Sequence, residues 1–357
     1  MLMQETYSIL VMGGSYGSLL GVKLALAGHD VVLMCLPAEV EAFNTGGAIV
    51  RMPVKGRSTL VEVDSRSAPG RLSAATPADI DPRRFQLVAL AMQEPQYGSP
   101  GARELLAEVV RSKLPCMSIM NMPPLPYLRR IPGIDVALCR DCYTEPAIWD
   151  GFDPALITLC SPDPQAFRPV ADKPNVLQVR LPTNFKAARF SSDAHTAMLA
   201  KLASDIEAVR FEVDGRPIEL PVKLKVHDSV FVPLAKWAML LAGNYRCVQE
   251  QGARTIKEAV HADLEESRSV YQWVVALCRS LGADERDLVP FEKYAQAALS
   301  LGSPSSAARA LFAGARNIER VDRLVQAIGV QRGMRLDAVD RVVALVDARL
   351  ELNRAQA

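Results

Sequence analysis

Apolar positions along the chain fall into two regimes. Up to about residue 224 they gather in short runs of strand-forming residues broken by glycine- and proline-rich turns, and from residue 225 onward they recur at helical spacing. The first run, Ser8-Ile-Leu-Val-Met12, passes directly into Gly13-Gly14-Ser15-Tyr16-Gly17. Leu19, Leu20, Val22, Leu24 and Leu26, with small residues between them, then predict a mostly buried helix over residues 18–27, stopped by Gly28. Val31-Val32-Leu33-Met34 predicts a second buried strand. Strand, glycine turn, helix and strand in that order make a βαβ unit, whose crossover is right-handed and whose strands are parallel. Apolar runs at 86–91 and 115–120, with a helix over 102–112 between them, extend the parallel sheet. Runs at 134–139, 156–160 and 176–179, set among Pro162, Pro164, Pro169 and Pro174, predict later strands open to antiparallel pairing.

In the helical regime, His227-Asp228 offers an N-cap, Pro233 falls in the tolerant first turn, and the apolar residues predict one long helix over 230–248. Further helices fit residues 255–281, 288–299, 305–313, 317–328 and 335–352. The expected organisation is an α/β domain over 1–224 followed by an all-helical domain over 225–357.

The glycine turn gives the first domain a chemical meaning. A phosphate-binding turn needs glycine where the backbone approaches a pyrophosphate, and the helix after it offers free N–H groups and the positive end of its dipole. Gly13, Gly14, Ser15, Tyr16 and Gly17 are therefore the candidate cofactor residues of a Rossmann-type dinucleotide-binding domain. Laid on G-x-G-x-x-G with its last glycine at Gly17, the pattern has Met12 in first place and Gly13 one place late. The rival reading is a structural turn; the buried strand before it and the helix after it favour the nucleotide. At the end of the second strand, where an acid or an arginine reads the ribose, stand Cys35-Leu36-Pro37. Asp30 comes before that strand and Glu39 past the proline, so these residues leave NAD and NADP undecided.

Composition narrows the partners. A formal net charge of +1 with mixed signs gives no basic field for nucleic acid. No apolar run is long enough to span a bilayer and the first six residues lack a basic leader, so a cytoplasmic location is expected. The seven cysteines suit a reducing compartment without disulfides, and the CxxC spacing of Cys139 and Cys142 reads as chance. His29, His195, His227 and His261 find no catalytic partner, and no metal site is expected.

Residues 13–32, with the run Leu24-Ala-Leu-Ala-Gly-His-Asp-Val-Val-Leu33, resemble the opening of ketopantoate reductases. Phe85-Gln-Leu-Val-Ala-Leu-Ala-Met-Gln93 resembles the family strand that ends in a lysine, and Ser118-Ile-Met-Asn121 the strand that ends in an asparagine beside the nicotinamide. Leu234-Ala-Lys236-Trp with Asn244 resembles the helix Lys-x-x-x-Asn-x-x-x-Asn, and Ser303-Pro-Ser-Ser306 with Gly314 and Glu319 resembles the Ser-Ser-Met and Thr-Glu segments. Departures stand beside these: Gln93 for the lysine, Leu240 for the first asparagine, Ala307 for the methionine, and Glu319 one place late. Residues 210–222 read as an added hairpin. The resemblance implies a 2-keto acid reductase using a nicotinamide dinucleotide, tilts toward NADP(H) over NAD(H), adds Gln93 and Asn121 to the cofactor site, gives Asn121 a place in the substrate site as well, and leaves a homodimer open.

Hydride addition to a 2-keto acid builds charge on the carbonyl oxygen, so the site needs a proton donor there and a partner for the carboxylate. On an α-helix Lys236, Leu240 and Asn244 share one face, and with the resemblance this implies Lys236 as the acid, Asn244 as its catalytic neighbour and Leu240 as a wall of the substrate site. The competing reading of Lys236 is a surface lysine on an amphipathic helix. By resemblance, Ser306 binds the substrate carboxylate and Glu319 holds a substrate hydroxyl as a third catalytic residue. Ser305 or Ser306 also reads as a helix N-cap, Glu319 as a solvated helix residue beside Arg320, and Asn121 as a turn residue. The expected function is an NAD(P)H-dependent reductase of a small 2-keto acid, with substrate in a cleft between the domains. Its rivals are an opine-type or other oxo- or imino-acid dehydrogenase and a catalytically silent nucleotide-binding regulator.

Overall fold

The structure is a computed structural model that describes residues 6–356; residues 1–5, on which the reading of the leader rests, lie outside the described residues. The chain divides into two compact units. The first comprises Met1–Met92, Gln96–Met120 and Gly151–Asp228, and the second Gln93–Pro95, Asn121–Asp150 and Ser229–Ala357. The division therefore differs from one cut at 224/225, because two segments of the α/β half join the helical one.

The first unit is built on an eight-stranded sheet. Strands β1 (Ser8–Met12), β2 (Asp30–Met34), β3 (Ile49–Met52), β4 (Val61–Asp64), β5 (Leu72–Ala75), β6 (Leu87–Leu90), β7 (Cys116–Ile119), β8 (Ile157–Ser161), β9 (Gln165–Phe167), β10 (Val176–Leu181), β11 (Phe185–Ala188), β12 (Phe211–Val213), β13 (Arg216–Ile218) and β14 (Leu224–His227) all belong to it. The large sheet runs β14-β11-β8-β7-β6-β1-β2-β5. From β5 to β8 every neighbouring pair is parallel, including β7 with β8, so the 156–160 run extends the parallel sheet. β11, antiparallel to β8, turns the other way, and β14, parallel to β11, runs with it. The 176–179 run lies in a separate sheet, β4-β3-β10-β9. The expected hairpin is β12 with β13, closed by Asp214-Gly215 with both residues at positive φ, the backbone of a tight type I′ turn.

Helix α1 (Tyr16–Leu26) joins β1 to β2, and Gly28, at φ +89°, ends it. Ile9, Leu10, Val11 and Met12 are fully buried, which is why β1 reads as a continuous apolar run rather than an alternating one. β2 lies on one side of β1 and β6 on the other, so the chain reverses its direction of winding at β1.

The second unit is helical, with helices Ile256–His261, Leu264–Ser280, Phe291–Ala298, Ser306–Phe312, Val321–Gln331 and Asp337–Ala355. Thr255 opens the first with a capping box to Glu258. The 134–139 run is no strand: the Asp135 side chain accepts the Ala137 N–H at 3.0 Å and starts a 3-10 helix, Val136–Cys142. The long helix expected over 230–248 is continuous but changes pitch. It passes from 3-10 (Val232–Ala235) through α (Lys236–Met239) to a π-turn (Leu240–Asn244) and ends in 3-10 (Tyr245–Cys247). Its cause is visible in Tyr294, whose hydroxyl donates at 3.0 Å to the Met239 carbonyl, the group that Gly243 N–H would reach in an α-ladder.

Candidate functional site

Ligands of open α/β sheets bind beyond the carboxyl ends of strands where the winding reverses, and here that point is the end of β1 beside β6. The glycine turn occupies it. Gly13, at φ +121°, donates its N–H to Met34 O at 3.2 Å, and a Cβ on it would stand 2.7 Å from Ala91 O, just past β6. Gly17 lets α1 lie against β1, since its Cβ would meet Val11 Cγ1 at 2.4 Å. A Cβ on Gly14 would meet Cys35 Sγ at 2.5 Å and Phe43 at 3.3 Å. Glycine at 14 is thus required by packing against the end of β2, a reason separate from the expected obstruction of a pyrophosphate. Ser15 is exposed and its hydroxyl makes no capping bond, so the first turn of α1 keeps its N–H groups without a side-chain cap. The Tyr16 hydroxyl donates to Pro162 O at 3.2 Å and its ring meets Phe185 edge-on, leaving the turn only the backbone of Tyr16.

Beyond β2, Leu36 is exposed and Pro37 begins helix α2 (Pro37–Gly46). Glu39, in the first turn of α2, forms an ion pair at 2.6 Å with Arg168, which follows β9. Burial, with Glu39 adding to it, pushes the Cys35 thiol up to about 12.

The second unit gathers a different set. Glu319 is buried rather than solvated, and it sits two residues before helix Val321–Gln331 rather than within it. Its Oε2 accepts from Asn121 Nδ2 at 3.2 Å and its Oε1 from Glu94 N–H at 3.4 Å. Asn121 Oδ1 is buried without a hydrogen-bond partner. Glu94 is itself 1 % exposed and accepts from the N–H and hydroxyl of Thr144 at 3.1 and 3.0 Å. Burial pushes both carboxyls up to about 7, against the hydrogen bonds from Asn121 and Thr144 that favour the charged forms. Arg320, the neighbour of Glu319 in the sequence, pairs with Asp322 at 2.8 Å and Asp347 at 2.5 Å. Gln93 is exposed and lies three residues past the end of β6; Glu94 beside it, which sequence reasoning missed, is the residue that meets Glu319. No local pattern marks Glu94 out.

Lys236 and Asn244 are both half-buried and Leu240 is part of the apolar core. The π-turn between them alters the α-helical spacing from which one shared face was expected. Ser305, not Ser306, is the N-cap: its hydroxyl accepts from Ala308 N–H at 3.1 Å and donates to Asn244 O at 2.7 Å. Ser306 stands exposed in the first turn, and it is Ser305 alone that the structure joins to the Asn244 backbone. The seven cysteines are buried thiols, Cys139 and Cys142 among them. Among the described residues no helix is long and apolar enough to cross a membrane.

No family model matches this chain, and no curated protein sequence does. Solved structures do. A ketopantoate reductase from Ralstonia eutropha JMP134 superposes with a TM-score of 0.65 at 16% identity, over 97% of this chain and 99% of the other. A 2-dehydropantoate 2-reductase from Methylococcus capsulatus gives 0.65 at 16% identity, over 97% of each chain. D-Mandelate dehydrogenase, in a ternary structure with NADH and anilino(oxo)acetate, gives 0.63 at 14% identity, over 97% of this chain and 99% of the other. At these identities the shared property is the fold, from one end of the chain to the other.

Proposed function

We propose that this protein is an NAD(P)H-dependent reductase of a small 2-keto acid. The observation that carries the reading is the glycine turn at the point where the sheet reverses its winding, on a fold shared with ketopantoate reductases and D-mandelate dehydrogenase. A dinucleotide fits the residues present. Gly14, Ser15 and Gly17 would hold the pyrophosphate by backbone N–H groups, with Gly13, whose N–H is bonded to Met34 O, shaping the turn, and the orphaned Asn121 Oδ1 is an acceptor of the kind a carboxamide satisfies. When bound, the nicotinamide supplies the hydride.

The chain's own residues do the rest. Lys236 donates the proton to the substrate carbonyl oxygen as charge develops there, and Asn244 orients that oxygen. Glu319 holds Asn121 through Nδ2, which fixes the side of the amide that stays open, and the exposed Ser306 hydroxyl serves the substrate carboxylate. The test is oxidation of NADH and NADPH against a panel of 2-keto acids, with Lys236→Ala as control. Turnover that requires an added amine would move the reading to an opine-type dehydrogenase, and dinucleotide binding without turnover on any of these substrates would move it to a regulator.

A further inference from the structure

Resting on that dinucleotide reading, we infer that Glu39 reads the adenosine ribose, with Arg168 as its positioning residue, and that the chain therefore prefers NADH to NADPH. The strand end itself carries Cys35, Leu36 and Pro37, none of which reads a ribose. Pro37 starts α2 at once, and the turn closed by Glu39 N–H to Leu36 O at 2.8 Å brings the side chain of residue 39 back over the strand end. There its Oε2 lies 3.6 Å from the position a Cβ on Gly14 would take, beside the glycine turn. An acid displaced four places along the sequence is returned in space to the corner where dinucleotide-binding sheets distinguish a ribose hydroxyl from a phosphate.

The surroundings fit that task. Glu39 is 16% and Arg168 28% exposed, so the pair is partly withdrawn from solvent yet reachable. The contact runs from Arg168 Nη1 to Glu39 Oε1 at 2.6 Å, while Arg168 Nε is buried without a partner. The guanidinium thus orients the carboxylate through one nitrogen, and Glu39 keeps acceptor sites for the 2′- and 3′-hydroxyls. Leu36, 68% exposed, gives an adenine ring an apolar surface next to them. A 2′-phosphate would instead bring about two negative charges against the Glu39 carboxylate, and Arg168 is already committed to that carboxylate.

Fluorescence titration of NADH and of NADPH tests this on wild type, Glu39→Ala, Glu39→Gln, Arg168→Met, Arg168→Lys and the double variant Glu39→Ala/Arg168→Met. Wild type is expected to bind NADH about tenfold or more tighter than NADPH, and Glu39→Ala to shift the ratio about tenfold or more toward NADPH by freeing Arg168 for the phosphate. Arg168→Met in the Glu39→Ala background should remove the NADPH affinity gained. In wild type, Arg168→Met should weaken NADH without improving NADPH, and Arg168→Lys should restore part of it. Glu39→Gln, which keeps the volume of the side chain, gives the same comparison should the alanine variant fail to fold. A wild type that favours NADPH, or a ratio unmoved by both Glu39 variants, overturns the inference and leaves the dinucleotide reading standing. A wild type that binds neither dinucleotide overturns both.

Discussion

Gly243→Ala should destabilise the helical unit although it replaces glycine by the best helix former. In an ordinary helix interior that change stabilises by up to about 1 kcal/mol. Here the added methyl would stand 1.9 Å from the Tyr294 hydroxyl and 3.2 Å from Val260, and Tyr294 is buried, with its ring stacked on Tyr271 at 5.5 Å. Burial and that stacking oppose any swing of the ring. Overpacking of this kind costs about 1–3 kcal/mol, and losing the bond from Tyr294 to Met239 O leaves buried polar groups unpaired for about 1–3 kcal/mol more. The net expectation is a loss of about 1–5 kcal/mol, the clash and the lost bond outweighing propensity. All three tryptophans, Trp149, Trp237 and Trp273, lie in this unit, so urea unfolding followed by tryptophan fluorescence reports it selectively. Removing the hydroxyl in Gly243→Ala/Tyr294→Phe should recover much of the loss, a coupling that a double-mutant cycle measures directly. A Gly243→Ala protein as stable as wild type, or a double variant no better than the sum of the singles, would refute the account of the π-turn as a product of Tyr294.

Lys236→Ala should slow turnover by about a hundredfold to ten-thousandfold while leaving cofactor affinity unchanged, and Lys236→Arg should be slow as well because a guanidinium hardly releases its proton. Steady-state rates within about threefold of wild type would remove Lys236 from the chemistry. Gly14→Ala should destabilise the α/β unit by about 1–3 kcal/mol through its collision with Cys35, and Cys35→Ala should relieve it. Melting followed by circular dichroism reads this, and a destabilisation unchanged by Cys35→Ala would place the constraint elsewhere. Glu94 and Glu319, raised from 4.5 to about 7, contribute stability fully present below about 4.5 that is lost as pH rises through about 7. Urea midpoints of wild type against Glu94→Gln and Glu319→Gln at pH 5 and pH 8 should show the variants losing less on going to the higher pH; an identical pH dependence would mean the two carboxyls are not buried as neutral acids.

What the sequence made legible follows from how each feature is held together. The β1, α1 and β2 segments announce themselves because strands covered on both faces must be apolar throughout, and the turn between them must be glycine to let α1 touch Val11. The hairpin at Asp214-Gly215 is legible for the same kind of reason, since its turn needs residues that accept positive φ. Features set by partners distant along the chain leave no periodic trace. Tyr294 acts on Met239 from 55 residues away, Glu319 meets Asn121 across 198, and Arg168 meets Glu39 across 129. Glu319 shows the consequence most clearly. Beside Arg320 in the sequence it reads as a solvated helix residue, yet that arginine turns to Asp322 and Asp347, and the glutamate is buried against Glu94 and Asn121. An ionisable carboxyl can be left in such a place only where hydrogen-bond donors are already provided for it. The backbone N–H of Glu94 and the amide of Asn121 provide them, which is why the amide proposed to meet a carboxamide and the acid that holds it have to be considered as one group.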